Sequence, residues 1–170
     1  MNDSLYDASA PVFVTGLVNM RAWLDKAAQD GSPDALMEAR LAEDMRPLPA
    51  QFQMASDSAK NAMARLIGID PPAMPDTETS FAELQARCEK TIAFIESIDP
   101  EALDGAEERE VTLKFPGGMG YRFTGVDYLR RFALPNFYFH ASMAYAILRN
   151  QGVPLGKPDY LRHLGQPIQL

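Results

Sequence analysis

Two polar side chains, Asn136 and His140, stand in the most apolar stretch of the chain, Phe132 to Leu148. Four residues apart on a helix, they point to one side. Burying either without a partner would cost about 1–3 kcal/mol, so each needs a hydrogen bond, an ordered water or a metal ion. A second polar stripe recurs at the same spacing, Gln53, Asp57 and Asn61, beside the apolar side of its own helix. The two stripes predict a small polar pocket, with Asp57 within hydrogen-bonding reach of His140 or Asn136, directly or through one water. Tyr138, Tyr145 and Tyr121 are further hydroxyl candidates, although a tyrosine more often packs its ring and satisfies its oxygen locally.

Two chemistries fit this constellation. One is a satisfied polar network or metal-free pocket; the other is a divalent metal held by the His140 imidazole and the Asp57 carboxylate. An imidazole buried beside Phe137, Phe139 and Tyr145 should titrate below about 6.5, whereas a partnered Asp57 would raise it. Other candidates fail sooner. Gly117-Gly118-Met119-Gly120 opens no helix and so cannot cradle a phosphate in the usual way. Cys88 falls at a core position and reads as an inert thiol. There is no H-E-x-x-H, G-x-S-x-G or paired C-x-x-C. The acidic stretch from Asp104 to Glu110 reads as solvated, and Met20, Met54, Met63 and Met143 as filler in or near the interior.

Four long helices must position these groups. Phe13, Leu17, Met20, Leu24 and Ala27 make one stripe between Pro11 and Ala28, ended by Gly31-Ser32-Pro33. A short amphipathic piece, Asp34 to Ala42, leads to Pro47-Leu48-Pro49, which suits a helix entry. Phe52, Ala55, Ala59, Ala62, Met63 and Leu66 line the second helix, and Gly68 stops it. Three prolines in residues 69–79 make a long link. Ser80 and Glu83 form a capping box ahead of Phe81, Leu84, Cys88, Thr91, Ile92, Ile95 and Ile98, and Asp99-Pro100 ends that third helix. Val111, Leu113 and Phe115 then alternate with Thr112 and Lys114, and Tyr121 and Phe123 flank Arg122, giving a hairpin around the glycines. The fourth helix, Val126 to Leu148, must kink or restart at Pro135. Being apolar on nearly every face from Phe132 on, it should sit centrally.

With 170 residues, 46% hydrophobic and 23% charged, the chain reads as one domain over residues 1–170 that folds alone. Sixteen basic against 23 acidic residues give a net charge of −7, which disfavours nucleic acid and anionic membranes as partners. One cysteine allows no internal disulfide, and no positively charged leader precedes an apolar run, so a cytoplasmic location is expected.

The run Leu134-Pro135-Asn136-Phe137-Tyr138-Phe139-His140, with Ala144-Tyr145-Ala146-Ile147-Leu148-Arg149 and Gly152-Val153-Pro154-Leu155-Gly156-Lys157-Pro158-Asp159-Tyr160-Leu161, resembles the C-terminal signature of a bacterial family of unknown function in the DinB/YfiT-like superfamily. Gln51-Phe52-Gln53-Met54-Ala55-Ser56-Asp57, with Ala59-Lys60 and Ala64-Arg65-Leu66, resembles the same family, as does the hairpin. The resemblance implies an all-α four-helix bundle with long crossover connections and a small inserted β-hairpin. It also implies relatives that are often dimeric and that bind a divalent metal through three histidines, some of them thiol-dependent transferases.

Here Asn136 stands at the spacing of one histidine of the last-helix pair, His140 keeps the other, and Asp57 is the nearest counterpart on the second helix. One imidazole and one carboxylate fall short of the three protein ligands usual in catalytic zinc sites. His163, the only other histidine, sits on a tail rich in proline and glycine. The expectation is a bundle with a polar pocket between its second and fourth helices and no complete three-histidine site. Its alternative is an enzyme of thiol-dependent transferase or hydrolase type using zinc, nickel or manganese on His140 and Asp57. A homodimer is expected, from the resemblance and from helices apolar on more than one stripe, with a small-molecule ligand.

Overall fold

The computed structural model describes residues 4–30 and 33–169. It is mostly helical with one small antiparallel sheet. α1 runs Ala10–Asp30, α2 Pro33–Met37, α3 Leu48–Ile67 and α4 Phe81–Glu96. A hairpin follows, β1 Glu110–Lys114 and β2 Gly120–Thr124, then α5 Gly125–Tyr128, α6 Leu134–Asn150 and the short α7 Lys157–Tyr160. The helix stop expected at Gly31-Ser32 lies outside the described residues. The piece expected over Asp34 to Ala42 is the shorter α2, which buries Leu36 and Met37.

The stripes read from the sequence face the interior. Phe13, Leu17, Met20, Leu24 and Ala27 on α1, and Phe52, Ala55, Ala59, Ala62, Met63 and Leu66 on α3, are fully buried. α3 ends at Gly68, whose φ of 77° is left-handed, and the Ile69 N–H donates to the Ala64 carbonyl at 2.9 Å, closing the last turn. At the start of α4 the Ser80 hydroxyl accepts from the Glu83 N–H at 3.3 Å. Glu83 itself reaches one residue further back than a capping box requires, accepting from the Thr79 N–H at 2.6 Å and hydroxyl at 3.0 Å.

Side-chain pairs give the helix directions. Gln51 meets His140 and Ser58 meets Asn136, so α3 and α6 are antiparallel. Phe13 packs on Phe137 and Trp23 on Tyr145, so α1 and α6 are parallel. Arg21 meets Glu89 and Asp25 meets Gln85, so α1 and α4 are antiparallel. α3 and α4, which pack on each other, therefore run the same way, and the link between them must travel back along the helices. Near its end Glu78 accepts from Gln53 Nε2 at 2.9 Å, close to the start of α3.

The restart at Pro135 takes a specific form. Leu129–Ala133 is a π-helical turn joining α5 to α6, and the Leu134 N–H donates to the Leu129 carbonyl five residues back. A wider turn absorbs the missing N–H and the ring of Pro135 without ending the helix. α6 is not enclosed on every side: Tyr138 is 43% and Phe139 53% exposed. It lies between α3 and α1, and the side away from both meets solvent. The close approach to α1 depends on Gly16, where a Cβ would lie 2.5 Å from the buried Phe137 ring.

In the hairpin Val111 pairs with Phe123 and Leu113 with Tyr121. Val111 and Leu113 face inward while Tyr121 is exposed. The turn uses Gly117 and Gly118 at φ 85° and 78°, a conformation that favours glycine.

Candidate functional site: a polar cleft between α3 and α6

A cavity of about 350 Å³ opens between α3 and α6, with β1 and the π turn completing its wall. Asp57, Ser58, Asn61 and Arg65 line it from α3, Asn136 and His140 from α6, and Lys114, Phe115 and Tyr128 from the surrounding segments. The structure thus brings Asn136, His140, Asp57 and Asn61 to one cleft. It does not bring Gln53, Tyr138 or Tyr145 there. Gln53 bonds Glu78 of the link. Tyr138 lies two residues past Asn136, about 200° around the helix, and lines a different cavity beside α1. Tyr145 packs edge-on against Trp23 and Tyr160. Tyr121 is exposed on the hairpin. His163 meets Asn19 on α1 at 3.4 Å, away from His140.

His140 Nδ1 lies 3.0 Å from Gln51 Oε1. Gln51 Nε2 donates to the Arg46 carbonyl at 3.0 Å, which fixes the amide so that its oxygen faces the ring. Nδ1 therefore carries the proton and donates, and Nε2 keeps its lone pair. Burial of the imidazole lowers its pKa from the usual 6.5, so the neutral form prevails. Phe139 stands edge-on to the ring at 5.1 Å.

Asn136 Nδ2 donates to Ser58 Oγ at 2.6 Å, and that hydroxyl donates to the Met54 carbonyl at 2.7 Å. Further along the cleft Arg65 donates to the Tyr128 hydroxyl at 2.9 Å. Burial raises the Tyr128 pKa, which keeps it a neutral phenol.

Asp57 does not hydrogen-bond His140 or Asn136. Its Oδ1 is 2.9 Å from Lys60 Nζ and 2.9 Å from Arg87 on α4. The reason is angular: the α3 groups that meet α6 are Gln51 and Ser58, seven residues apart and so on one side, and Asp57 is turned about 100° from Ser58 toward α4. Arg87 is 2% exposed and also pairs with Asp76 and Glu78, each at 2.9 Å, and with the Pro75 carbonyl at 3.1 Å. Burial would raise the Glu78 pKa, but hydrogen bonds from Arg87 and Gln53 and the Arg87 charge outweigh it and hold the carboxyl below its usual range.

This donor set does not suit a divalent cation. The nearest carboxylate is held between two cationic side chains, Asn136 turns its NH₂ toward Ser58, and one imidazole nitrogen remains. Among the described residues no group of three or more His, Cys, Asp or Glu side chains is placed to hold a metal ion; Asp57, Asp76 and Glu78 gather around the Arg87 guanidinium instead. Cys88 is buried, and desolvation pushes its thiol up to about 12, so it supplies no thiolate.

The Domain of unknown function (DUF1993) model matches residues 5–161. The chain belongs to this family. Among solved structures, a DinB family member from Shewanella denitrificans superposes with a TM-score of 0.86 at 35% identity, over 98% of this chain and 95% of that one. No curated protein matches the chain. No helix among the described residues is long and apolar enough to cross a membrane.

Gln51, Ser58, Arg65, Lys114 and Tyr128 were not singled out by sequence reasoning. The seven-residue spacing of Gln51 and Ser58 is the signal that points to the first two. Nothing local marks Lys114 or Tyr128, which reach the cleft through the hairpin and α5.

Proposed function

We propose that this DUF1993 protein is a four-helix bundle of the DinB type, with a long crossover, whose α3–α6 cleft binds a small anionic oxyacid without a metal. The ligand would be a carboxylate or phosphate that also carries a hydroxyl or N–H group. The carrying observation is Asp57: paired with Lys60 and Arg87, it leaves Arg65 and Lys114 as the uncompensated charges among the cleft-lining side chains. An anion offsets these cations, Asn61 and Asn136 supply amide groups, and His140 Nε2 accepts from the ligand's donor. The two cationic residues sit at the hairpin end of the cleft and His140 toward the start of α3, so a bound molecule would span them. This is a binding function, with His140 held neutral to accept a proton in a hydrogen bond.

A cytoplasmic homodimer accompanies this reading. The lone buried thiol suits a reducing compartment, and the apolar surface left exposed at Phe139, Met119 and Tyr121 suits a second copy.

Titrating tag-free protein with inorganic phosphate while following the His140 ring by NMR tests the proposal. A saturable shift with a dissociation constant below about 1 mM, weakened about tenfold in Lys114→Ala, is expected. No shift with phosphate, together with one-to-one binding of Zn²⁺ that is lost in His140→Ala, would overturn it in favour of the metal-dependent alternative.

A further inference from the structure

We propose that a second, uncharged pocket, walled by α1, α6 and the turn after α7, binds a planar aromatic molecule bearing a carboxamide-like donor and acceptor pair. This proposal is independent of the α3–α6 cleft. The pocket holds about 350 Å³, within the ~300–1,000 Å³ of small-molecule sites. Among the described residues no Asp, Glu, Lys or Arg lines it, in contrast to the cleft.

Its floor and walls are aromatic. Gly16 lets the Phe137 ring lie against α1, since a Cβ there would be 2.5 Å from it. Phe137 is locked edge-on to Phe13 at 5.2 Å. Trp23 is 2% exposed, stacks on Tyr160 at 5.3 Å and donates its indole N–H to the Asp159 carbonyl at 3.1 Å. The indole's single donor is thus used, so Trp23 offers a guest only ring surface. A flat ring fits such walls by offset or edge-on contact.

The polar groups are few and oriented. Asn19 is 5% exposed, and its Nδ2 donates to the Tyr160 carbonyl at 2.9 Å and meets His163 Nδ1 at 3.4 Å. That fixes the amide, and its Oδ1 receives no hydrogen bond from the described residues. That oxygen is open to solvent, and a guest's N–H can donate to it in place of water. With Nδ1 accepting from Asn19, the His163 ring carries its proton on Nε2 as a donor. An acceptor on Asn19 beside a donor on His163 is the complement of a primary amide. The Tyr138 hydroxyl, kept neutral by burial, adds no charge. A carboxylate in the same place has no donor for Asn19 Oδ1 and sets an anionic oxygen against that acceptor, so it fits less well than a neutral amide.

Benzamide and benzoate are the test molecules, and Trp23, the chain's single tryptophan, is the reporter in the wall. Saturable change in Trp23 emission with benzamide, matched by saturation-transfer NMR, is expected, with benzoate at least about tenfold weaker. His163→Ala should weaken benzamide about tenfold, and Val12→Phe, which fills the cavity, should abolish binding while circular dichroism is unchanged. The proposal is overturned if benzamide gives no saturable response, if benzoate binds as well, or if both variants bind benzamide like the parent. Should Val12→Phe fail to fold, the exposed position His163 decides alone.

Discussion

His140 is an imidazole whose tautomer and charge are both fixed by its neighbours. Gln51 Oε1 accepts a hydrogen bond from Nδ1–H, and burial lowers the pKa from 6.5. The unfolded chain therefore binds the proton first as acid is added. Stability from this group is complete above about pH 6.5 and is lost as pH falls through the lowered folded value. The stability gap between the parent and His140→Gln should shrink as pH drops from 6.5 to 5 in urea titrations. A gap that widens in acid would mean that a carboxylate holds an imidazolium there. The sequence made His140 visible as a polar intruder in an apolar run, and of the two pKa directions it left open the structure takes the one set by burial, since Asp57 is not its partner. Its partner was not legible, because Gln51 lies outside the i, i+4 stripe of Gln53, Asp57 and Asn61, and helix phase to within one residue is a 100° decision.

Among the elements, Arg87 is the residue that sequence reading passes over. An arginine on an amphipathic helix reads as solvent-facing, yet this one is buried and joins α4 to α3 through Asp57 and to the returning link through Asp76, Glu78 and the Pro75 carbonyl. The prolines of the link could be read as a long connection, but not what holds it down, since the bonds join residues 9 to 30 apart. Arg87→Ala should cost about 2–3 kcal/mol, below the usual figure for a broken buried pair because Asp57 and Asp76 are substantially exposed. Arg87→Lys should restore little of it, since an ammonium cannot span these partners as the guanidinium does. Equal stability of Arg87→Ala and the parent in urea would show that the link is held otherwise. The same reasoning explains why the core was legible: positions such as Leu17 and Met63 obey a rhythm internal to one helix, whereas the cleft depends on how α3, α6, the hairpin and the π turn meet.

For the molecule as a whole, the exposed Phe139, Met119 and Tyr121 sit on a surface carrying a net charge of −7. Association through these apolar side chains should give a dimer by light scattering at micromolar concentration, and Phe139→Glu should shift it toward monomer. A parent that is monomeric throughout that range would reject the dimer. The two pockets lie on opposite sides of α6, one charged and one neutral, so the helix that reads as apolar on nearly every face carries two distinct chemistries. The central claim is the proposed one, that the α3–α6 cleft works through hydrogen bonds and ion pairs and not through a bound metal. Elemental analysis of protein purified without chelator or histidine tag tests it most directly. Less than about a tenth of an equivalent of zinc, nickel or manganese per chain is predicted, the mismatch of the donor set leaving no affinity to survive purification. One equivalent that disappears in His140→Ala would contradict it.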